Sequence, residues 1–268
     1  MRGGPVALAC EGGSRLRQAR TSAPLARPLI SVVTVTYNAV DALRRTLDSV
    51  RAQCWDAIEH IVIDGGSNDG TADLLAARSG EIAFWRSEPD RGIYDAMNKG
   101  LAHATGEYVL FLNSGDTLQG RVLFPGRDLE RLLPVQALNF WGKPRLLRLR
   151  DLRLGMPYCH QGILFRNSGL APFDTSYAIA ADYEFLLANV SRAGLGPPQL
   201  EGLACVVFDT SGVSNRLVLQ RDLEAARIIR RRYGRYRWMK FWSVQGTKLL
   251  VRWLVARLAG PSRTPVPG

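Results

Sequence analysis

The sequence predicts an α/β protein: a Rossmann-like, mostly parallel sheet flanked by helices, followed by C-terminal amphipathic helices. Three observations carry this. Between residues 29 and 112, short apolar runs alternate with helical-period segments as three strand–helix units on short links, the pattern of parallel strands with right-handed crossovers. Ile93, Ala96, Met97, Leu101 and Ala104 recur at helical spacing. Tyr108–Leu112 is an uncharged apolar run suited to a strand buried on both faces, and it stops at Asn113-Ser114-Gly115-Asp116. Ligands of open α/β sheets lie beyond the carboxyl ends of the strands, so the chemistry belongs at this turn.

In chain order, Met1–Arg27 is rich in Gly, Arg, Ala and Pro, lacks the apolar core of a secretory signal, and is expected to be a disordered extension. Leu29–Tyr37 is a β-branched strand, and Val40–Gln53 a helix with Val40, Leu43, Leu47 and Val50 on one face. Glu59–Asp64 is the second strand. Asp69 or Ser67 suits the cap of a helix over Thr71–Arg78. A third strand spans Ile82–Ser87. The helix Ile93–Ala104 ends before Gly106, expected as a left-handed closing residue. Gly120–Leu154 has no steady period. Tyr158–Phe165 reads as a strand, Ala180–Ala193 as a helix, Leu203–Phe208 as a strand, and Leu217–Tyr233 and Trp238–Leu258 as amphipathic helices. The expected organisation is an extension over 1–27, one α/β domain over 28–215, and basic helices over 216–268.

The net charge of +11 is carried by the tail. Residues 216–268 hold thirteen Arg and Lys against only Asp222 and Glu224, and the preceding body is balanced. A basic helix rich in Trp and Leu suits an anionic membrane surface, or the docking of its apolar stripe on the domain. No uncharged run is long enough to span a bilayer. Nothing beyond the tail favours nucleic acid. Cys10, Cys54, Cys159 and Cys205 are scattered without metal-ligand spacing, which fits a reducing, cytoplasmic setting. No GxGxxG follows the first strand, which disfavours a nicotinamide oxidoreductase.

ISVVTVTYN, VIDGGSNDGT, GIYDAMNKGLAHATGEYVLFLNSGD, HQGILF and ADYEF, in this order over about residues 29–215, resemble the family 2 glycosyltransferases of GT-A fold. Within that family the chain looks most like the mycobacterial enzymes of phenolic glycolipid and p-hydroxybenzoic acid derivative biosynthesis. The resemblance implies an inverting transferase that moves a hexose or deoxyhexose, such as fucose or rhamnose, from a nucleoside diphosphate sugar to a hydroxyl of a glycolipid or phenolic glycoside precursor. It would work in the cytoplasm, peripheral to the inner face of the membrane.

Such a reaction needs the nucleotide gripped, the departing diphosphate neutralised and the acceptor hydroxyl deprotonated. For the grip, the resemblance points to Thr36, Asn38 and Asp64, with Thr34 and Tyr37 beside them. It also points to Asp95, on a helix face it shares with Lys99, and to Asn113. An ordinary strand end, tight turn and surface ion pair would explain the same residues. For the diphosphate, the NSGD turn stands where the family has an acidic motif holding Mg²⁺ or Mn²⁺: Asp116 matches the final carboxylate, and Asn113 replaces the first. An acidic β-turn without metal is the alternative. Asp182 matches the family's catalytic base, though an Asp opening a helix also serves as a first-turn charge; Glu184 is the fallback. His160 and Gln161 fall on the acceptor side, and Ser211–Ser214 resembles a loop closing over the donor. A non-catalytic nucleotide-sugar-binding subunit at the membrane is the competing reading.

Overall fold

The computed structural model describes residues 9–18, 30–53, 58–119, 133–134, 136–137, 160–193, 205–207 and 217–258. In chain order the elements are β1 (Cys10–Gly12), α1 (Ser14–Gln18), β2 (Ile30–Thr36), α2 (Val40–Arg51), β3 (Ile58–Asp64), α3 (Thr71–Ala77), β4 (Phe84–Ser87), α4 (Ile93–His103) and β5 (Tyr108–Phe111). They continue with β6 (Thr117–Gln119), β7 (Leu133–Pro134), β8 (Gln136–Ala137), a 3₁₀ turn at His160–Gly162, β9 (Ile163–Arg166), α5 (Ala181–Ala193), β10 (Cys205–Val207) and α6 (Val218–Leu258).

One seven-stranded sheet runs β1-β4-β3-β2-β5-β9-β7, and β6, β10 and β8 form a second, three-stranded sheet. The four central strands β4, β3, β2 and β5 are parallel; β1, β9 and β7 pair antiparallel at the flanks. This is the mixed α/β, GT-A architecture that the sequence predicts. The chain lays down β2, β3 and β4 towards one edge and then crosses to place β5 on the other side of β2. The order therefore reverses between β2 and β5, which opens a crevice at their carboxyl ends.

All seven residues of β2 are buried, as a β-branched run covered on both faces requires. α2 and α3 cover one face of the sheet, with Leu43, Leu47, Leu74 and Leu75 against Val62 and Trp85. α4, α5 and the first half of α6 cover the other, where Met97, Phe185, Ile228 and Ile229 join Val33, Ile61 and Phe111 in one core. The tail is thus part of the body's core.

Three expectations are corrected. Residues 10–18 lie within the segment expected to be disordered, yet β1 pairs with β4 and Arg15 Nη2 reaches Glu59 Oε2 at 2.7 Å. Glu59 is buried and takes further hydrogen bonds from Ser31 Oγ, Thr105 N, Thr105 Oγ1 and Gly106 N. A buried carboxylate needs a countercharge, and the N-terminal segment supplies it. Gly106 is not a left-handed helix end, because α4 closes on extended Ala104. It is Gly because a Cβ would come 2.7 Å from Ser31 N. Finally, His160–Gly162 coil into a 3₁₀ turn, so the strand begins only at Ile163. The tail breaks into two helices at Gly234, whose φ of 80° and ψ of −177° no helical residue adopts.

Candidate active site

The crevice between β2 and β5 is edged with buried polar atoms. Thr36 Oγ1 at the end of β2, Asn113 Oδ1 just past β5 and His160 Nε2 just before β9 are each buried with no hydrogen-bond partner among the described residues. These are three adjacent strands of the sheet. Buried polar atoms are nearly always satisfied, so three such atoms at the ends of adjacent strands make this edge the candidate site; Gln53 Oε1, just past α2, is a fourth buried atom of this kind among the described residues.

On the β3 side the loops are laced together. Asp64 is fully buried: Oδ2 accepts from Ser67 N at 3.0 Å and Ser87 Oγ at 2.6 Å, and Ser67 Oγ donates to Oδ1. Its oxygens therefore face its own loop and β4. Asn38 sits at a left-handed φ of 47°, which Asn tolerates better than most residues. Its N–H donates to Ser67 Oγ at 2.7 Å and its Oδ1 accepts from Asn68 N at 2.9 Å. The cap of α3 is Gly70, with no side-chain cap bond, so neither Asp69 nor Ser67 caps it as expected. Asp69 Oδ1 instead accepts from Thr71 N and Oγ1, and Oδ2 takes the Val40 N–H that opens α2, at 2.9 Å. Thr34 Oγ1 lies 2.9 Å from His60 Nε2. Burial, aided by Arg78, drops the His60 pKa from 6.5 to about 3.

Tyr37, 65% exposed, stands at the mouth of this loop cluster. A Cβ on Gly65 would meet Asp90 Oδ2 at 2.5 Å and the Tyr37 ring at 3.3 Å, so these three residues share one small hollow. Asp90 Oδ1 accepts from Gly92 N at 2.8 Å. Burial raises its carboxyl pKa, with Asp95 and Asp64 adding to the effect and Lys99 opposing it. Asp90 was missed in the sequence because Glu88–Gly92 reads only as a turn. Asp95 accepts from Arg91 N and Nη2, both at 3.1 Å, and Lys99 pairs with Glu88 at 2.8 Å and with the Pro89 carbonyl at 3.1 Å. Burial opposes ionisation of Asp95, but the Arg91 hydrogen bonds and nearby Lys99 win and lower its pKa.

The NSGD turn closes with Asp116 N donating to the Asn113 carbonyl at 3.0 Å. Thr46 on α2 braces it, with Oγ1 donating to the Asp116 carbonyl at 2.8 Å and accepting from Gly115 N at 2.9 Å. No group of three or more His, Cys, Asp or Glu suited to a metal occurs among the described residues. The turn still offers one carboxylate, on buried Asp116, and one orphaned amide oxygen, on Asn113. Those two oxygens suit a hard divalent cation that takes its remaining ligands from phosphate and water.

Asp182 lies in the first turn of α5, partly exposed. Oδ1 accepts from Tyr183 N at 2.8 Å, and Oδ2 lies 3.4 Å from His160 Nδ1. Tyr94 on α4 donates its hydroxyl to the Ile179 carbonyl at 2.6 Å and comes within 3.5 Å of Asp182 Oδ1. Burial, reinforced by Asp182, pushes the Tyr94 pKa well up, so the phenol stays protonated. Asn98 ties the same helix to the segment between β9 and α5 through both backbone groups of Phe173, at 2.8 and 3.0 Å. Glu184, the fallback base, is engaged instead: Arg232 grips it with two bonds of 2.6 and 2.8 Å. Glu224 accepts from the N–H groups of Ala178, Ile179 and Ala180 at 2.9–3.1 Å, just ahead of α5. One sequence signal could have found it: Asp222 and Glu224 are the only acids in a basic tail, and both are buried. Half-buried Gln161 sits beside His160 in the 3₁₀ turn. Ser211–Ser214 lies outside the described residues.

Residues 31–124 match the family model described as glycosyl transferase family 2. An uncharacterized glycosyltransferase of Mycobacterium tuberculosis is 39% identical over 209 residues, covering 70% of this chain and 78% of that protein. A PGL/p-HBAD biosynthesis glycosyltransferase of Mycobacterium bovis is 30% identical over 216 residues, covering 72% and 82%. Among solved structures, Staphylococcus aureus TarS superposes with a TM-score of 0.55 at 18% identity over 75% of this chain, which spans 38% of TarS. The Pyrobaculum calidifontis mannosyltransferase PcManGT, solved with GDP-Man and Mn²⁺, gives 0.52 at 21% identity, covering 80% and 70%. At these identities the structural likeness shows the fold.

Proposed function

The chain belongs to glycosyl transferase family 2, and on that premise we propose that it transfers a hexose or deoxyhexose, fucose or rhamnose in the first instance, from a nucleoside diphosphate sugar to a hydroxyl of a glycolipid or phenolic glycoside precursor, with inversion. The observation that carries this reading is the meeting of both half-sites at one sheet edge. Tyr94, one residue from Asp95 on α4, lies 3.5 Å from Asp182 Oδ1, and His160, at the same sheet edge as Asn113, lies 3.4 Å from Asp182 Oδ2.

In the proposed reaction Thr36, Asn38 and the hollow of Tyr37 and Asp90 hold the nucleoside. Asp64 keeps their loops in place from beneath, and Asp95 lies towards the ribose and phosphates. Asp182 accepts the acceptor hydroxyl's proton as that oxygen bonds the anomeric carbon. The bond from the anomeric carbon to phosphate oxygen breaks, and its electron pair leaves with the nucleoside diphosphate. No enzyme nucleophile intervenes, so a single displacement inverts the centre. Asn113 and Asp116 would hold Mg²⁺ or Mn²⁺, which supplies a Lewis acid for the departing diphosphate. Gln161 lies towards the acceptor.

The tail supports attachment to an anionic membrane surface. Leu219, Tyr236 and Met239 are 64%, 70% and 56% exposed, among exposed Arg230, Arg231, Arg235 and Lys240. Each basic residue near such a surface adds about 1 kcal/mol. No helix among the described residues is long and apolar enough to cross a membrane. Sedimentation with anionic vesicles at low salt tests this, and no co-sedimentation removes it.

The transfer reading is tested by thermal unfolding with UDP, GDP and dTDP, each with and without Mn²⁺, on wild type and Asp116→Ala. A nucleotide at a hundredfold excess over its dissociation constant adds about 2.7 kcal/mol. Stabilisation by one nucleotide that needs both Mn²⁺ and Asp116 supports the reading. Binding without turnover of any sugar donor would favour a non-catalytic binding subunit.

A further inference from the structure

His160 has the surroundings of a core residue. It is 4% exposed, with its ring 6.0 Å from that of Phe111 and 6.2 Å from that of Phe173. Among the described residues its one hydrogen-bonding approach is Nδ1 to Asp182 Oδ2 at 3.4 Å, and there Nε2 is buried without a partner. These two facts discriminate between the neutral tautomers. With the proton on Nε2, a donor would be buried with nothing to receive it, and the bare Nδ1 lone pair would face a carboxylate oxygen. With the proton on Nδ1 both penalties disappear, and only an unpaired acceptor remains.

Asp182 gains a defined orientation from the same contact. Oδ1 is tied to the backbone by Tyr183 N at 2.8 Å. Tyr94 adds little at 3.5 Å, because its single proton goes to the Ile179 carbonyl at 2.6 Å. Oδ2 is then left to His160. Each carboxylate oxygen has a second lone pair, so both contacts can be made while Asp182 still takes a proton from the crevice.

We propose that His160 is a positioning residue for Asp182. Its Nδ1–H tautomer holds Oδ2 and fixes the direction in which the carboxylate meets the acceptor hydroxyl. This rests on Asp182 being the base, and it puts His160 behind that base instead of against the acceptor.

The chain has three histidines, so a ¹⁵N–¹H spectrum of the imidazole nitrogens resolves His160 once His60→Gln and His103→Gln identify the other two. The expected result is a proton on Nδ1 of His160, moving towards Nε2 in Asp182→Ala. A wild-type ring protonated on Nε2 overturns the proposal. Kinetics give an independent reading, from nucleoside diphosphate release with UDP-glucose, GDP-fucose or dTDP-rhamnose and a phenyl glycoside acceptor. His160→Phe is expected to lower kcat by about 10- to 100-fold with acceptor KM within about twofold. His160→Asn, which returns an N–H near the Nδ1 position, is expected to recover most of that loss. A raised acceptor KM at unchanged kcat overturns the proposal, as does equal loss in both variants. A fully active Asp182→Asn removes the base reading and this proposal with it. A dead Asp182→Asn beside an unimpaired His160→Phe removes the proposal alone.

Discussion

On the β3 side of the crevice, where we propose the nucleotide binds, Asp64 is enclosed by Ser67 and Ser87, from its own loop and the next strand. On the α5 side, proposed for the acceptor, the approach to Asp182 is held by Glu224 and Arg232, more than forty residues further along the chain. The first half-site is built from neighbours within the strand–helix units that form it. The second is assembled only when the tail helix docks. The half that carries Asp182 thus draws its supports from one far helix.

The comparison can be broken most directly at the base. Asp182→Asn is expected to cost about 10²–10⁴-fold in kcat, the span of general base catalysis, while nucleotide-induced thermal shifts stay unchanged. A loss of nucleotide binding in that variant would mean that the two halves are not separable.

The interior under the nucleotide side supplies the next largest effect. The folded state holds His60 neutral down to a pKa of about 3, against an ordinary value of 6.5, so below pH 6.5 the unfolded chain binds the extra proton. Stability should therefore fall as pH drops from 6.5 towards 3, by roughly 4 kcal/mol in all. Chemical unfolding of His60→Gln should show a flatter profile across that window. Equal slopes in variant and wild type would show that His60 does not carry the effect.

Glu224→Gln replaces a charged acceptor that serves three backbone N–H groups with a neutral one. A loss of about 2 kcal/mol in unfolding free energy is expected, because hydrogen bonds to charged groups contribute the most. The accompanying fall in kcat should exceed any change in nucleotide affinity; a fall confined to nucleotide affinity would reverse the comparison. Burial opposes ionisation of Glu224, but the Ile179, Ala180 and Ala178 N–H groups outweigh it and lower its pKa. This contribution should be present above the ordinary carboxylate range and fade as pH falls through the lowered value. Arg232→Ala should do least. It removes a two-pronged but partly hydrated ion pair with Glu184, for about 1 kcal/mol or less by thermal unfolding.

The parallel core was legible because its signals are local. Buried strands read as uninterrupted β-branched runs, and α2 and α4 show their apolar faces at helical spacing. Asp69 reads as a cap of α3, yet the cap is Gly70, and the bond of Asp69 to the start of α2 was not legible, since it crosses between two loops. The site residues could be named one at a time from motif order. Their partners could not be, because His160 and Asp182 meet across 22 residues, and Tyr94 and Asp182 across 88.

By itself the sequence determined the strand–helix alternation and the helix limits to within a few residues. Those follow from periodicity and turn chemistry, which act over a few residues. Only the tertiary structure decided that the N-terminal segment docks on β4, that Glu184 is engaged by Arg232, and that Glu224 of the tail holds the segment ahead of Asp182. Each of these answers the demand of a buried or partly buried charge for a partner, and no local pattern says where along the chain that partner will be found.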